Sequence, residues 1–412
     1  MSVESTPADT TDQWVFGRDE GEKTITAQLL SDKHAEVIRA TLPVVGENIG
    51  AITGLFYTKL FDAAPVLERD VFNRSNQARG EQQKALAGSI ANFATLLISD
   101  TDEDPRTTIG RIAHKHASLG VSEAQYDVVH TFLFEAIVDV LGDAVTAEVA
   151  EAWDAVYWLL ANALIDAEKQ LYSSADVNAD TVLRDVKVLD VVRRTDDVVS
   201  LVLDASGFQE PVPGQYLSIG VELPDGARQI RQYSIVDFGD GRIEVAVKRD
   251  RSEPRGEVSN FIHDHVVAGS TVVASPPFGD VCLPDGDGRV FLLSKGIGNA
   301  PFVGILGGMV AQGRKNPVVV IHADADGASH AFADTTVDLV DKLGGEHVFC
   351  YAEPEEAFVR TIEERTFEDG DNVLICGSVD FVEATHKLLN VAGVADSRIH
   401  YEVFGPDSWL RS

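Results

Sequence analysis

Two histidines in the segment IAHKHASLG, His114 and His116, are candidate metal ligands. Successive residues of an α-helix are rotated by about 100°, so the two imidazoles point to nearly opposite faces. His116 continues a stripe with Ile109 and Ile112 that has the spacing of a buried face. His114 instead lies with Arg111 on the side expected to face water. His116 is therefore either a metal ligand or a hydrogen-bonded core histidine, and the spacing leaves both interpretations open.

A carboxylate further along the chain is a second candidate for the chemistry of a site. Glu168 lies four residues after Leu164 and three before Leu171, on a helical stripe that is predicted to be buried. A lone carboxylate is costly to bury, so Glu168 requires a hydrogen-bond donor. If it instead stands one helical step off the stripe, it is an ordinary solvated glutamate.

A glycine-rich segment predicts nucleotide binding nearer the C-terminus. The sequence FLLSKGIGNAPFVGIL has the pattern of a strand, a Gly-Ile-Gly turn and a helix with proline in its first turn. After the next strand, Asp324 and Asp326 favour a free ribose 2′-OH and hence NADH, with NADPH left open. The residues predicted to form this nucleotide site are Gly296, Ile297, Gly298, Asn299, Ala300 and Pro301.

Three regions of different sequence pattern must position these groups. After a polar extension at residues 1–28, residues 29–175 are predicted to be helical, because apolar residues recur at spacings of three and four. Residues 180–287 contain short β-branched runs between turn residues, which predicts an antiparallel barrel or sandwich. Residues 288–412 alternate strand and helix patterns, which predicts a doubly wound α/β domain with a parallel sheet. The predicted fold class is thus multidomain.

The chain of 412 residues carries 34 basic and 66 acidic side chains, a net charge of −32. This sign argues against a nucleic-acid partner. Acidic residues spread over every segment, with few lysines, are typical of a halophile's cytoplasmic protein, and an ordinary acidic protein is the alternative. Three isolated cysteines predict no disulfide framework, and no apolar segment predicts a signal peptide or a membrane span. We therefore expect a cytoplasmic protein that does not bind membranes.

The helical region resembles a globin, and it is similar to the globin of the bacterial flavohaemoglobin (nitric oxide dioxygenase) family. The resemblance is carried by FYTKLFDAAPVLERDVFNRSNQARGEQQKAL and by AHKHASLGVSEAQY. It implies that His116 is the axial ligand of a haem b iron and that Lys115 lies at the junction of haem and flavin. The other implied haem-pocket residues are Tyr57, Phe72, Gln82 and Leu86.

The resemblance implies catalytic roles for four residues. Tyr57 and Gln82 would lie beside O2 bound to the iron, and Tyr57 would donate a hydrogen bond. Glu168, together with Tyr126, would join the network of the axial histidine. A carboxylate that accepts the imidazole N–H gives the ligand imidazolate character and increases the electron density at iron.

The strand-rich region resembles the flavin domain of the ferredoxin-reductase type, an antiparallel β-barrel, through PGQYLSI, RQYSI and GEVSNFIHDHV. This implies that Arg231 pairs with a flavin phosphate, Tyr233 stacks on the flavin ring and Ser234 bonds its N5 edge. Ser259, at a helix N-terminus, would receive the diphosphate. The C-terminal HYEVFGP matches a strand that returns to the flavin. The further implied FAD-site residues are Tyr216, Gln232, Glu402, Val403, Phe404, Gly405 and Pro406.

Several positions depart from the pattern of the family, among them Lys295, Asn299 and Ser378, and two further departures bear directly on the cofactor sites. Arg255 precedes Gly256 where a second glycine is usual, so the backbone approach to phosphate changes, while Arg255 can add a charge contact. Ala300 replaces the threonine that normally precedes Pro301, which removes a hydroxyl near the nicotinamide.

The resemblance spans about residues 30 to 406 and implies an oxidoreductase that converts NO and O2 to nitrate with NAD(P)H, haem b and FAD. The flavin is needed because NAD(P)H gives two electrons whereas haem iron accepts one. The implied partners are the small molecules O2, NO and NADH or NADPH. Two other functions stay open. One is a haem-based gas sensor with an inactive reductase half, which Ala300 and Arg255 favour. The other is an NAD(P)H oxidase or flavin reductase that acts without NO.

Overall fold

A computed structural model describes residues 30–70, 72–78, 80–99, 109–283 and 286–405. The predicted extension at 1–28 lies outside these residues. The first part of the described chain is helical. Its helices are α1 (Asp32–Ala63), α2 (Pro65–Asp70), α3 (Arg74–Ala78), α4 (Glu81–Ile98), α5 (Gly110–Leu119), α6 (Glu123–Leu141) and α7 (Ala147–Ser174). Of all the helices that the structure describes, none is long and apolar enough to cross a bilayer.

Local sequence signals fix the end of the helix that carries His116. Helix α5 ends at Gly120, whose φ of 79° lies in the left-handed region, and a Cβ there would come 2.7 Å from the carbonyl oxygen of Ala179. Helix α6 then begins with a capping box between Ser122 and Gln125. These two signals hold the turn after His116 in one conformation.

The second part is a closed barrel of six antiparallel strands in the order β1-β2-β5-β4-β3-β6. Its elements are β1 (Arg184–Arg193), β2 (Val198–Asp204), β3 (Tyr216–Glu222), β4 (Arg228–Gly239), β5 (Arg242–Lys248), α8 (Glu257–His265) and β6 (Thr271–Ala274). Strands β3 and β4 pair so that Tyr216 lies opposite Ser234 and Ile219 opposite Arg231. This register brings the PGQYLSI and RQYSI motifs side by side.

The third part is a parallel sheet of five strands in the order β11-β10-β7-β8-β9. Its elements are β7 (Val290–Lys295), α9 (Ala300–Ala311), β8 (Val318–Ala323), α10 (Ala333–Leu343), β9 (Glu346–Cys350), α11 (Pro354–Glu363), β10 (Asn372–Gly377), α12 (Val379–Val391) and β11 (Ile399–Val403). The predicted fold class is confirmed, and the middle region is a barrel, not a sandwich.

Helix α5 lies between the helical part and the barrel. On one side, its residue Ala113 packs in an apolar cluster with Tyr126 and Leu164 of the neighbouring helices. The same cluster includes Tyr216 and Phe278 of the barrel. The two parts therefore share a hydrophobic core, and α5 has buried residues on more than one of its faces.

Candidate functional site

The His116 imidazole is held by a buried carboxylate. Its Nδ1 lies 2.8 Å from Oε1 of Glu168 and 3.0 Å from the hydroxyl of Tyr126, which donates to the same carboxylate oxygen at 2.5 Å. Glu168 is only 2% exposed, so it is not a solvated glutamate. Burial and the nearby carboxylate raise the pKa of Tyr126 far above its ordinary value, so its phenol stays protonated and donates. With Nδ1 occupied, Nε2 is the nitrogen left for a metal.

His116 lines a cavity of about 790 Å³, here called the central cavity, which extends from the helical part into the barrel. Much of its wall in the helical part is apolar. These apolar residues include Val45, Ile49, Ile52, Phe56, Leu60, Leu86, Ile90, Leu133, Ile137, Val156, Leu160 and Leu164. Among the described residues, no group of three or more His, Cys, Asp or Glu could hold a metal ion. A single imidazole is the protein ligand that suits iron in a porphyrin, because the porphyrin itself supplies four further nitrogen ligands.

Tyr57 and Gln82, the two residues predicted to lie beside iron-bound O2, line the same cavity. Tyr57 is 5% exposed, and its ring contacts those of Phe61 and Phe72 at centroid distances of 5.5 and 5.7 Å. Burial raises the pKa of Tyr57, although the amide of Gln77 partly opposes this shift. Within the described part of the chain, Oε1 of Gln82 is buried without a hydrogen-bond partner. The pocket thus offers a protonated phenol and an unused amide oxygen to a small ligand.

The barrel end of the central cavity contains a half-buried cation, Arg231, whose hydrogen-bond acceptors are neutral. Arg231 donates to the carbonyl of Ile230, to Asn73 Oδ1 at 2.7 Å and to Gln229 Oε1 at 3.1 Å. Desolvation lowers its pKa. A phosphate group would supply the missing negative charge with geometry that suits a guanidinium.

Two unsatisfied hydroxyls stand beside this arginine. Tyr233 OH and Ser234 Oγ are buried and have no hydrogen-bond partner among the residues described. Buried polar groups are normally paired, so unpaired hydroxyls that belong to the cavity-lining RQYSI segment are what a polar ring system would satisfy. Tyr216 and Gln232 also line the cavity. The residues present therefore fit a flavin.

The N-terminus of α8 meets the cavity at Gly256 and Ser259. Ser259 Oγ accepts a hydrogen bond from the backbone N–H of Asp250 at 3.1 Å. A Cβ at Gly256 would lie 2.6 Å from Cβ of Asp250, so this position requires glycine. Arg255 is exposed and does not belong to the lining of the cavity.

The C-terminal strand also reaches the central cavity. Its lining residues there are Glu402, Val403, Phe404 and Gly405, while the predicted Pro406 lies outside the described residues. Glu402 Oε2 is buried without a hydrogen-bond partner among the described atoms, and burial, with a further contribution from Asp280, raises the pKa of Glu402 to about 8.

The Gly-Ile-Gly segment forms a 3₁₀ turn, Gly296–Asn299, between β7 and α9. A Cβ at Gly298 would lie 2.2 Å from the carbonyl oxygen of Cys376, so the turn packs directly on β10. Pro301 stands in the first turn of α9, and Ala300 is buried against the barrel residues Val198 and Val236. None of the six predicted nucleotide-site residues lines the central cavity.

Lys248 connects the turn with the central cavity and was missed by the sequence analysis. It lines the cavity, and a Cβ at Gly296 would lie 3.5 Å from its Nζ. Asp250 and Asp280 are further cavity residues that were not predicted. Lys248 and Asp250 could have been found from the sequence, because they belong to the charged triplet KRD that directly follows the apolar run RIEVAV. Functional groups often lie in the segments that follow strands.

The acidic residues after β8 differ in their surroundings. Asp324 is 8% exposed and lies 3.5 Å from Nε2 of the fully buried His322. Asp326 is exposed and accepts a hydrogen bond from the backbone N–H of Ser329. Asp324 directly follows the carboxyl end of β8, which is where an acidic residue contacts a ribose hydroxyl in doubly wound nucleotide-binding sheets.

The expectation that His114 faces water is wrong. Its Nδ1 accepts a hydrogen bond from the backbone N–H of Gly279 at 3.0 Å, and burial lowers its pKa. Arg111 likewise stacks over the ring of Tyr401 at 4.0 Å. The polar face of α5 packs against the rest of the protein, and helical periodicity does not distinguish a polar interface from a solvated face. Lys115, on the same helix, is half-buried and lines the central cavity.

The segment after α2 docks the helical part onto the barrel. Arg74 pairs with both carboxylate oxygens of Glu257, at 2.6 and 3.1 Å, and with Asp225 at 2.7 Å. Gln229 donates to the backbone carbonyl of Phe72 at 3.0 Å. The helical wall of the central cavity and the end of the barrel that carries Arg231 are thus joined by direct polar contacts.

This fold and site define a class of protein in which a globin is joined to a flavin- and pyridine-nucleotide-dependent reductase. The Globin family model matches residues 54–164. The chain is 34% identical to the flavohemoprotein of Bordetella pertussis, over 92% of this chain and 99% of that protein. It is 31% identical to the flavohemoprotein of Bacillus subtilis, over 92% and 98%. The chain belongs to the flavohaemoprotein family.

A solved structure supports the same assignment. The crystal structure of flavohemoglobin from Malassezia yamatoensis, with bound FAD and heme, superposes with a TM-score of 0.84 at 32% identity. The superposition covers 91% of this chain and 100% of the flavohemoglobin chain. The similarity therefore extends over the helical part, the barrel and the α/β part together.

Proposed function

We propose that this protein is an NAD(P)H-dependent nitric oxide dioxygenase that contains haem b and FAD. Two NO and two O2 with one NAD(P)H give two nitrate ions, NAD(P)+ and one proton, which balances atoms and charge. The observation that carries the proposal is the contact of His116 with buried Glu168 at the wall of a cavity that continues to Arg231 and Tyr233. The haem supplies an iron that binds O2, and the flavin divides a hydride into single electrons.

The residues of the helical part bind the haem and orient the groups on both sides of it. His116 holds the metal through Nε2, while Glu168 accepts its Nδ1–H and makes the imidazole a stronger donor. Tyr126 fixes the carboxylate. Tyr57 presents a hydroxyl proton to a ligand in the pocket, and Gln82 adds an amide beside it. The apolar wall excludes bulk water from the same space.

The residues of the barrel and the C-terminal strand hold the flavin. Arg231 and the N-terminus of α8 at Ser259 bind its phosphates. Tyr233 would stack on the flavin ring and Ser234 would bond its N5 edge, and the described residues leave both hydroxyls unpaired. Phe404 lines the cavity directly after β11, the edge strand of the parallel sheet.

The α/β part binds the dinucleotide at the turn that contains Gly296 and Gly298. We favour NADH over NADPH, because Asp324 is an acceptor for a free 2′-OH and would repel a 2′-phosphate. The three domains are residues 29–175, 180–287 and 288–412. Three element boundaries support this division. Helix α7 ends at Ser174, the barrel begins with β1 at Arg184, and the parallel sheet begins with β7 at Val290.

We place the protein in the cytoplasm, with O2, NO and NAD(P)H as small-molecule partners and with no nucleic-acid or membrane partner. NAD(P)H is available there, and the free thiols of Cys282, Cys350 and Cys376 suit a reducing compartment. The net charge of −32 opposes nucleic-acid binding.

The test mixes purified protein, loaded with haem and FAD, with NADH and NO in air, beside a His116→Ala variant. The proposal predicts NADH-dependent nitrate formation that the variant loses. Equal nitrate yields from both proteins contradict it. A gas sensor would form a stable O2 complex and consume negligible NADH with NO. An NAD(P)H oxidase or flavin reductase would turn over without NO and retain its activity in the variant.

A further inference from the structure

Two completely buried hydroxyls meet where the globin packs against the barrel. Ser118 lies in the last turn of α5, and Ser218 lies in the middle of β3, one hundred residues later. Both side chains are 0% exposed. The Oγ of Ser218 donates to the Oγ of Ser118 at 2.8 Å. This direct contact between the two domains lies two residues beyond the axial ligand, His116.

The two serines belong to a directed chain of hydrogen bonds. Nε2 of Gln232 donates to Ser218 Oγ at 2.9 Å, and Ser118 Oγ donates to the backbone carbonyl of Lys115 at 2.8 Å. Each hydroxyl therefore donates one hydrogen bond and accepts at least one, and Ser118 also hydrogen-bonds the buried side chain of Tyr216, on the same strand as Ser218. A buried hydroxyl that lost its partner would carry the full cost of desolvation, so the chain is stable only when all of its members stay in place.

The ends of the chain lie at the two cofactor sites. Gln232 stands between Arg231 and Tyr233 and lines the barrel end of the central cavity. Lys115 directly precedes His116. The chain thus connects the strand that forms the flavin site with the helical turn that carries the axial ligand, through side chains that do not themselves bind the iron.

The hydroxyl groups of the two serines are not needed to fill the space between α5 and β3. Strand β3 is buried at every position from Tyr216 to Val221, so an alanine at Ser218 would suit its surroundings. Apolar packing alone allows small sliding movements between surfaces, whereas hydrogen bonds between hydroxyls fix a direction and a distance. The two serines therefore add geometric definition at the place where α5 packs against β3.

We propose that Ser118 and Ser218 are positioning residues that fix helix α5 relative to the flavin site. Because the rate of electron passage between two groups depends on their separation and orientation, this link sets how fast the haem is reduced by the flavin. Hydride delivery to the flavin depends on the α/β part and is not affected. The inference rests on the proposed function in that it requires haem and flavin in the same chain.

The test uses the full-length holoprotein with Ser118→Ala, Ser218→Ala and the double variant. Ser200→Ala is the matched control, because Ser200 is also 0% exposed in the barrel but hydrogen-bonds Arg194 within the barrel instead of the globin. Anaerobic stopped-flow spectroscopy with NADH follows flavin bleaching and haem reduction separately. A displacement of about 1 Å can reduce a rate by up to about a hundredfold, and we expect haem reduction to slow by about tenfold with flavin bleaching unchanged. The control retains both rates.

A second readout does not depend on turnover. Amide hydrogen exchange across residues 115–120 is compared in the same proteins. We expect Ser218→Ala to increase exchange in α5, and the double variant to exchange no faster than Ser118→Ala alone, because Ser118→Ala already breaks the link to Ser218 as well as its contact with Tyr216. Unchanged exchange in Ser218→Ala, or equal slowing of both stopped-flow steps, overturns the inference. A preparation that lacks haem or flavin absorption contradicts the proposed function, whereas normal spectra with unchanged rates contradict only this inference.

Discussion

Glu168 Oε1 lies 2.8 Å from Nδ1 of His116, although the two residues are 52 positions apart in the chain. The carboxylate is buried, and its second donor is the hydroxyl of Tyr126. A buried carboxylate with two donors on one oxygen is held in a single orientation. The imidazole is therefore fixed both in ring orientation and in the nitrogen that it offers to a metal.

Glu168→Gln tests this relationship. The amide keeps the size of the side chain but removes the negative charge that strengthens the imidazole as a donor. We expect nitrate formation to fall by about 10- to 100-fold with the haem retained, the usual effect of losing a group that orients a metal ligand. Glu148→Gln, at an exposed position of the same domain, should leave the rate unchanged. Equal rates in the two variants would refute the role of the carboxylate.

The raised pKa of Glu402 predicts how stability depends on pH in the flavin-free protein. Its pKa rises from 4.5 to about 8 on folding, so between these values the folded state holds a proton that the unfolded state has released. The free energy of unfolding should therefore decrease as the pH rises through this window. Glu402→Gln should make the decrease shallower, whereas Glu210→Gln, at an exposed site, should not. Chemical denaturation at several pH values measures this, and identical slopes would contradict it.

Two glycines near the nucleotide site should respond in opposite ways to alanine. At Gly298 a Cβ would lie 2.2 Å from a backbone carbonyl oxygen, so Gly298→Ala should reduce the free energy of unfolding by about 1–3 kcal/mol and slow flavin reduction by NADH. At Gly307, within α9, nothing lies within 4 Å, so Gly307→Ala should raise stability by up to about 1 kcal/mol. Denaturation and NADH-dependent flavin bleaching measure both effects. If Gly298→Ala behaves like Gly307→Ala, the turn does not pack as described.

The ion pairs of Arg74 predict the strength of docking between globin and barrel. Arg74→Ala removes a bidentate contact with Glu257 and a contact with Asp225, and we expect a loss of about 1–2 kcal/mol in the free energy of unfolding. Lys33→Ala, which breaks an exposed pair with Glu148, should cost less than about 0.5 kcal/mol. High salt should reduce the difference between the two variants. Equal losses would mean that the Arg74 contacts are not structural.

The sequence predicted much of the site, because burial and periodicity act locally. The stripe that contains Glu168 indicated a buried carboxylate that needed a donor, and the structure supplies Tyr126 and His116. The identity of these partners was implied only by the resemblance, since 42 and 52 residues separate them from Glu168. The turn at Gly296–Asn299 was predicted from local pattern alone.

Contacts between domains could not be predicted. His114 and Arg111 lie on a polar helix face, and a polar face that meets another domain has the same periodicity as one that meets water. Ser118 and Ser218 show the same limit, because neither serine has a local signal for a partner one hundred residues away. The hydrogen bond of Asn73 with Arg231 likewise depends on how the globin and the barrel are arranged.

The central claim is that one chain joins a haem on His116, a flavin at Arg231 and Tyr233, and a site for NADH. The most direct measurement is the absorption spectrum of the purified holoprotein under carbon monoxide without oxygen, before and after NADH is added. The account predicts a Soret band with flavin absorption, bleaching of the flavin, and a shift of the Soret band to that of the carbon monoxide complex, which only reduced haem forms. A spectrum without a Soret band, or a Soret band that NADH leaves unchanged, would contradict it.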